Sequence, residues 1–202
     1  MSAPTNRVLR EIVLASGSPR RLELLRSLCL DIEVMPSGYD ERDEPGAAPE
    51  DLARRHARAK LDAVRAHVPD RAVLAADTVV DLDGRSLGKP HDAADAARML
   101  RSLSARTHRV HTAYALALPG SASPLERLST TAVRFHPLDE AEIAAYVSTG
   151  EPMDKAGAYG IQGRAAALIA SIDGDYFTVM GFPLGDFIRL LRRSGFALPE
   201  SK

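Results

Sequence analysis

An α/β fold, a mixed twisted sheet flanked by helices, is what this sequence predicts, and three observations predict it. Short apolar runs alternate with helical patterns along the 202-residue chain. One run, residues 72–76 (AVLAA), is apolar at every position, as a strand covered on both faces must be. Asp83-Gly84 is a strong hairpin signal, which adds antiparallel strands to a sheet otherwise joined through helices.

Taken in order, residues 1–6 are polar and expected to fray. Residues 12–14 (IVL) form a strand, and Gly17-Ser18-Pro19 turns it into a helix with Leu22, Leu25 and Leu28 inward. Gly17 accepts unusual backbone angles, Ser18 is a favoured N-cap, and Pro19 suits the first helical position, where its missing N–H costs nothing. Arg20 and Arg21 in the first turn gain nothing from the helix dipole. A bound anion reverses that, because N–H groups, the hydroxyls of Ser16 and Ser18 and two guanidinium forks make a phosphate clamp. Cys29 is expected as a buried, unreactive thiol on that helix.

Residues 32–35 give a second strand, followed by an acidic loop with Asp40, Glu41, Asp43 and Glu44. Such a run is ordinarily solvated, but a carboxylate facing the clamp would hold a divalent cation against phosphate. Residues 49–67 are helical, with Leu52, Ala53, Ala57, Leu61 and Val64 inward and Arg54, Arg55, Arg58 and Lys60 on the basic face. The strand at 72–76 ends in Asp77, and ligands of open α/β sheets bind beyond strand ends. Across the Asp83-Gly84 turn the return strand delivers Gly88-Lys89-Pro90, bringing an ammonium back toward the carboxylate. The segment 84–89 is no P-loop: its glycines are too close together and Pro90 replaces the magnesium-binding hydroxyl.

Residues 92–103 form an alanine-rich helix with Ala96, Met99, Leu100 and Leu103 inward, and 109–118 and 128–135 form strands. His108 and His111, three apart on a strand, face opposite sides, and the six histidines show no ligand spacing. A helix at 139–147 precedes the glycine-dense segment 154–163 (DKAGAYGIQG), which contains Lys155, Tyr159 and Gln162. It lacks the dinucleotide fingerprint, and Gln162 offers a donor and an acceptor to a base edge. Residues 165–172 and 176–180 read as a closing hairpin, and a last helix carries Phe187, Ile188, Leu190 and Leu191.

Composition bounds the rest. A net charge of -1 draws the chain to neither nucleic acid nor an anionic membrane, and one cysteine excludes an internal disulfide and fits a reducing cytoplasm. No apolar stretch approaches the roughly 20 residues of a membrane span. One domain over residues 1–202 is expected, with two lobes around a central cleft as an option. The scattered features share one property: they suit a magnesium-bound triphosphate, with Arg20, Arg21, Lys60 and Lys89 on phosphate oxygens and Glu41 and Asp77 on cation or water.

SGSPRR at 16–21, ADT at 76–78 with GKP at 88–90, LSARTHRV at 103–110, EPMDKAGAYGIQG at 151–163 and GDYFTVMGFPL at 174–184 together resemble the Maf family of nucleoside triphosphate pyrophosphatases. The likeness runs from about residue 10 to residue 190. It implies a fold of the inosine triphosphatase kind and a homodimer that cleaves a nucleotide between its α and β phosphates with Mg2+ or Mn2+. By motif, the family's paired arginines fall on Arg20 and Arg21, its loop glutamate on Glu41 and its helix lysine on Lys60. Asp77 takes the place of its general base, Lys89 of its second lysine and Gln162 of its base-reading glutamine, while Arg20, Thr78 and Gln162 match positions linked to substrate choice. YGIQG resembles the subgroup acting on dTTP and UTP rather than the one acting on 7-methyl-GTP. Cys29 and Ala105 stand where glycine is expected, and Arg164-Ala165-Ala166 where small glycines are common. Two other readings remain at this point, a non-catalytic nucleotide-binding regulator of septum formation and a nucleic-acid-binding protein using the helix from Pro49.

Overall fold

A computed structural model describes residues 7–42 and 46–200. The fraying expected at residues 1–6, and Asp43 and Glu44 of the acidic run, lie outside the described residues.

The main sheet has seven strands. β2 (Glu11–Leu14), β3 (Asp31–Val34) and β4 (Val73–Leu82) are parallel, in the order β3-β2-β4. From β4 the sheet continues antiparallel through β6 (Thr107–Ala117), β7 (Leu125–Phe135) and β8 (Ile169–Asp173). β5 (Arg85–Leu87) pairs with β4 from the same side as β2, and β1 (Arg7–Val8) pairs with β9 (Phe196–Ala197) in a separate ribbon. The mixed sheet is therefore as expected, and so is the Asp83-Gly84 turn.

Helices cover both faces. α2 (Pro49–Arg65) lays Leu61 and Val64 on Val73, Ala75 and Ala115, and Leu52 and Ala57 on Val79 and Ala113. Alanines at these strand positions let the helix approach closely. On the other face α1 (Pro19–Arg26), α5 (Tyr176–Met180) and α6 (Leu184–Arg193) bury Leu25, Phe182 and Phe187 against Leu74 and Tyr114. Next to them α3 (Ala93–Leu103) and α4 (Glu140–Val147) bury Leu100, Leu103 and Ile143 with Val110 and Phe135. The helix starts are capped as their sequences dictate: Ser18 accepts from the Arg21 N–H, Asp92 from that of Asp95, and Asp139 and Glu142 form a reciprocal box.

Four expectations need correction. Residues 176–180 are a helix, not a strand, because the Asp175 side chain caps it by accepting from the N–H and hydroxyl of Thr178, each at 2.8 Å. Residues 163–168 are 3-10 turns, so the strand that follows them starts only at Ile169. β4 does not stop at Asp77: the β-branched Thr78, Val79 and Val80 carry it on to Leu82, leaving Asp77 in mid-strand. Cys29 is exposed, since the chain takes a left-handed turn there (φ +59°) to pass from α1 into β3.

Ala105 is also left-handed, at φ +58°, two residues past the end of α3. Glycine is the residue that adopts this conformation without strain at a helix C-terminus. Ala105→Gly is expected to stabilise the protein by about 1 kcal/mol, read as a higher urea midpoint with an unchanged slope.

His108 gives the fold a pH dependence. It is 2 % exposed, its Nε2 lies 2.6 Å from the Tyr159 hydroxyl, and its Nδ1 is buried without a protein partner among the described residues. Burial pushes the imidazole down to about 4, against a weak pull from Asp81. Between pH 6.5 and 4 the unfolded chain therefore binds a proton that the folded one refuses. Stability is full above the first value and falls as pH drops toward the second, by about 3 kcal/mol at ~1.4 kcal/mol per pH unit. His108→Gln, which keeps a partner for Tyr159, is expected to flatten urea stability over that range; an unchanged slope contradicts it.

Candidate functional site

Leu74 is the last residue of β4 paired to β2, and Val80 is the first paired to β5. Between them one edge of β4, at residues 75–79, faces the gap where β2 leaves and β5 has not yet joined. A cavity of about 620 Å³ lies there. The turn after β2, the start of α1, the acidic loop, α2, the end of the β4–β5 hairpin and the glycine-dense segment all contribute to its wall.

Arg21 is the buried anchor of this wall. Its Nε donates to the Gly181 carbonyl at 2.8 Å, Nη1 to Ser16 Oγ at 3.0 Å and Nη2 to Thr78 Oγ1 at 3.0 Å. These bonds tie α1 to β4 and to the turn between α5 and α6, leaving one N–H on each terminal nitrogen. Burial lowers its pKa from the ordinary arginine value, against the opposing charges of Asp77 and Glu41. Arg20 is half-buried on the same wall, and Ser18 stays on the helix cap. Of the expected clamp, then, one arginine is committed to holding the site together and the other faces the cavity.

Across the gap stands Lys60, 6 % exposed. It does not belong to the solvated face of α2. The spacing of Ala53, Ala57, Lys60 and Val64 is that of the buried stripe, a signal available from the sequence. Its Nζ donates to Asp77 Oδ1 at 2.6 Å and pairs with Glu41 Oε1 at 2.5 Å. Asp77 is 5 % exposed, and a carboxylate this deep is tolerated because an ammonium meets it. Partial burial alone would raise the Glu41 carboxyl; the hydrogen bond and charge of Lys60, aided by Lys89 and His56, outweigh it and hold the group below the usual range. Lys89 lies exposed on the cavity wall two residues past β5, as the hairpin predicted.

Gln162 is placed differently. It is exposed, precedes the 3-10 turns at Gly163–Leu168, and is not among the residues lining the cavity. The glycine-dense segment contributes Asp154, Lys155 and Tyr159 instead, and the loop after β3 contributes Tyr39, whose hydroxyl lies 3.2 Å from His56 Nδ1. Nothing in the spacing of these residues marks them, because they converge through turns rather than along one element.

A second group of donors lies further along β4. Glu50, Asp81 and His111 each bring one ligand atom within 4.8 Å of the others, which sequence spacing did not reveal because they come from three elements. This acidic and histidine cluster is able to hold a metal ion. His111 Nε2 already meets Asp81 Oδ2 at 3.2 Å and its Nδ1 meets Thr130 Oγ1 at 2.9 Å. Among the described residues no helix is long and apolar enough to cross a membrane.

Comparison with known proteins agrees with this architecture. The profile described as Maf-like protein matches residues 11–194. A dTTP/UTP pyrophosphatase of Symbiobacterium thermophilum is 47% identical, over 94% of this chain and 97% of that one. Another of the same description, from Anaeromyxobacter dehalogenans, is 50% identical over 93% and 96%. Among solved structures, a HAM1 protein from Coxiella burnetii superposes with a TM-score of 0.50 over 91% of this chain and 99% of that one, at 19% identity, a likeness of fold alone. With a profile spanning nearly its whole length and relatives at about half identity, the chain belongs to the Maf-like protein family.

Proposed function

We propose that this chain is a nucleoside triphosphate pyrophosphatase acting on dTTP and UTP, converting triphosphate and water to the monophosphate and pyrophosphate. The observation that carries the reading is the convergence, on one cavity, of Arg20, Arg21, Lys60 and Lys89 with the carboxylates of Asp77 and Glu41. Cations neutralise a polyphosphate, and a buried carboxylate accepts a proton from an attacking water.

In this account Asp77 takes the proton as water oxygen bonds to the α phosphorus. The bond from that phosphorus to the bridging oxygen breaks, and the electron pair leaves with pyrophosphate. Lys60 orients the Asp77 carboxylate through their 2.6 Å hydrogen bond. Lys89 and the arginines meet the charge that grows on the departing group, Arg21 from a position fixed by Ser16 and Thr78. Gln162, the family's base reader by motif, belongs to the base end of the substrate.

A divalent cation is assigned to the same wall: Lys60 takes Oε1 of Glu41 and Oδ1 of Asp77, and carboxylates present hard oxygens of the kind Mg2+ and Mn2+ take. When bound, the ion supplies charge neutralisation and polarises phosphate oxygen. The family's homodimer and cytoplasmic setting go with this reading, and light scattering tests the first. The substrate test is a panel of natural and modified triphosphates with Mg2+, scored for monophosphate and pyrophosphate. dTTP and UTP are expected to lead; 7-methyl-GTP or other GTP derivatives leading would overturn the substrate assignment, and binding without turnover would make the chain a regulator.

A further inference from the structure

The glycine-dense segment brings one more cation to the cavity. Lys155 stands between two short 3-10 turns, Glu151–Asp154 and Ala156–Ala158, with extended backbone (φ -120°, ψ 134°) and a side chain only 13% exposed. Its stem crosses Gly160. A Cβ at position 160 would lie 2.9 Å from Lys155 Cε and 3.0 Å from Cδ, with Arg20 Nη1 3.5 Å from the same point. Lys155 and Arg20 therefore both pass close to a residue that has no side chain.

The backbone fixes this arrangement. The Gly157 N–H donates to the Gly88 carbonyl at 2.9 Å, and Gly157 adopts φ +68° against Val80, where a Cβ would come within 3.0 Å. Lys155 lies two residues before the donor and Lys89 one residue after the acceptor, so one hydrogen bond sets both lysines on one wall. The Lys155 ammonium donates to the Glu151 carbonyl and to Asp154 Oδ1, both at 2.6 Å. An ammonium has three donors, so among the described residues one is left over. The Asp154 side chain is 75% exposed, and a carboxylate that wet gives up a cation to a phosphate at little cost.

We propose that Lys155 is a substrate-binding residue of this site, its ammonium exchanging Asp154 for an oxygen of the bound polyphosphate, and that Gly160 leaves the lysine stem room to lie in this position, so that a methyl group there displaces the ammonium. The inference rests on the reading of the cavity as a triphosphate site.

The test measures calorimetric binding of the non-hydrolysable α,β-methylene analogue of dTTP, and of thymidine, to the wild type and to Lys155→Gln, Lys155→Arg and Gly160→Ala. A charge-assisted bond to phosphate is worth about 10- to 100-fold in affinity. Lys155→Gln is expected to lose that much for the analogue and nothing for thymidine, Lys155→Arg to recover most of it, and Gly160→Ala to weaken the analogue alone. Analogue binding by Lys155→Gln at wild-type strength overturns the proposal. So does a loss shared equally by thymidine and not rescued by arginine, which is the behaviour of a loop brace. A wild type that binds the analogue but releases no pyrophosphate from dTTP sinks the catalytic reading while leaving the Lys155 comparison intact; one that does not bind the analogue overturns both.

Discussion

Asp77→Asn is expected to lower pyrophosphate release by about 100- to 10,000-fold while the protein stays folded. Asparagine has nearly the same volume and still accepts a hydrogen bond from Lys60, so the mid-strand packing of β4 survives. What it lacks is a proton-accepting carboxylate, and general-base catalysis contributes a factor of that size. Because Lys60 keeps its contact with Glu41, its charge is not stranded. Nucleotide binding should change far less than turnover. Steady-state release of pyrophosphate beside a urea melt checks this, and near-normal turnover in a folded variant removes Asp77 from the chemistry.

Lys60→Met carries the second large effect, and it falls on stability as well as activity. Removing one partner of a buried pair leaves the other charge uncompensated, at a typical cost of about 3 to 5 kcal/mol. Here it leaves the Asp77 carboxylate, 5 % exposed, beside Glu41 with nothing between them. The double variant Lys60→Met/Asp77→Asn should regain much of the lost stability, since the stranded charge is gone, yet recover no activity. Urea midpoints and pyrophosphate release of the three proteins separate the two effects. An unchanged midpoint in Lys60→Met would mean that the pair is not balanced as its geometry implies.

Much of the frame was legible because it rests on local chemistry. Ser18-Pro19 starts α1, Asp83-Gly84 turns β4 into β5, and the inward stripe of α2 is where periodicity places it. The misplaced elements were those in which local signals competed. Residues 176–180 are rich in the aromatic and β-branched residues that strands favour, but the Asp175 cap and the left-handed Gly181 enclose a helical turn. Asp77 looked like a strand end because a buried carboxylate is costly on its own. Lys60, seventeen residues earlier, removes that cost, and no local reading of either residue shows it.

The candidate site divides the same way. Arg20, Arg21, Glu41, Lys60, Asp77 and Lys89 came from motifs, and the fold brings all six to one gap in the sheet. Motif alone did not show that Arg21 spends three donors on the fold, or that Glu41 and Asp77 share Lys60. Those facts depend on the register of β4 against β2 and β5, which tertiary packing sets. Lys155 was visible only as a charged residue among glycines; its place depends on a backbone bond to Gly88.

The account's central claim is that these groups hold a triphosphate so that water enters at the α phosphorus. Hydrolysis of dTTP by the wild-type protein with Mg2+ in 18O-labelled water tests it directly, with the products analysed by mass spectrometry. The account predicts one 18O atom in dTMP and none in pyrophosphate. Label in pyrophosphate or in inorganic phosphate, or no conversion of dTTP at all, would contradict it.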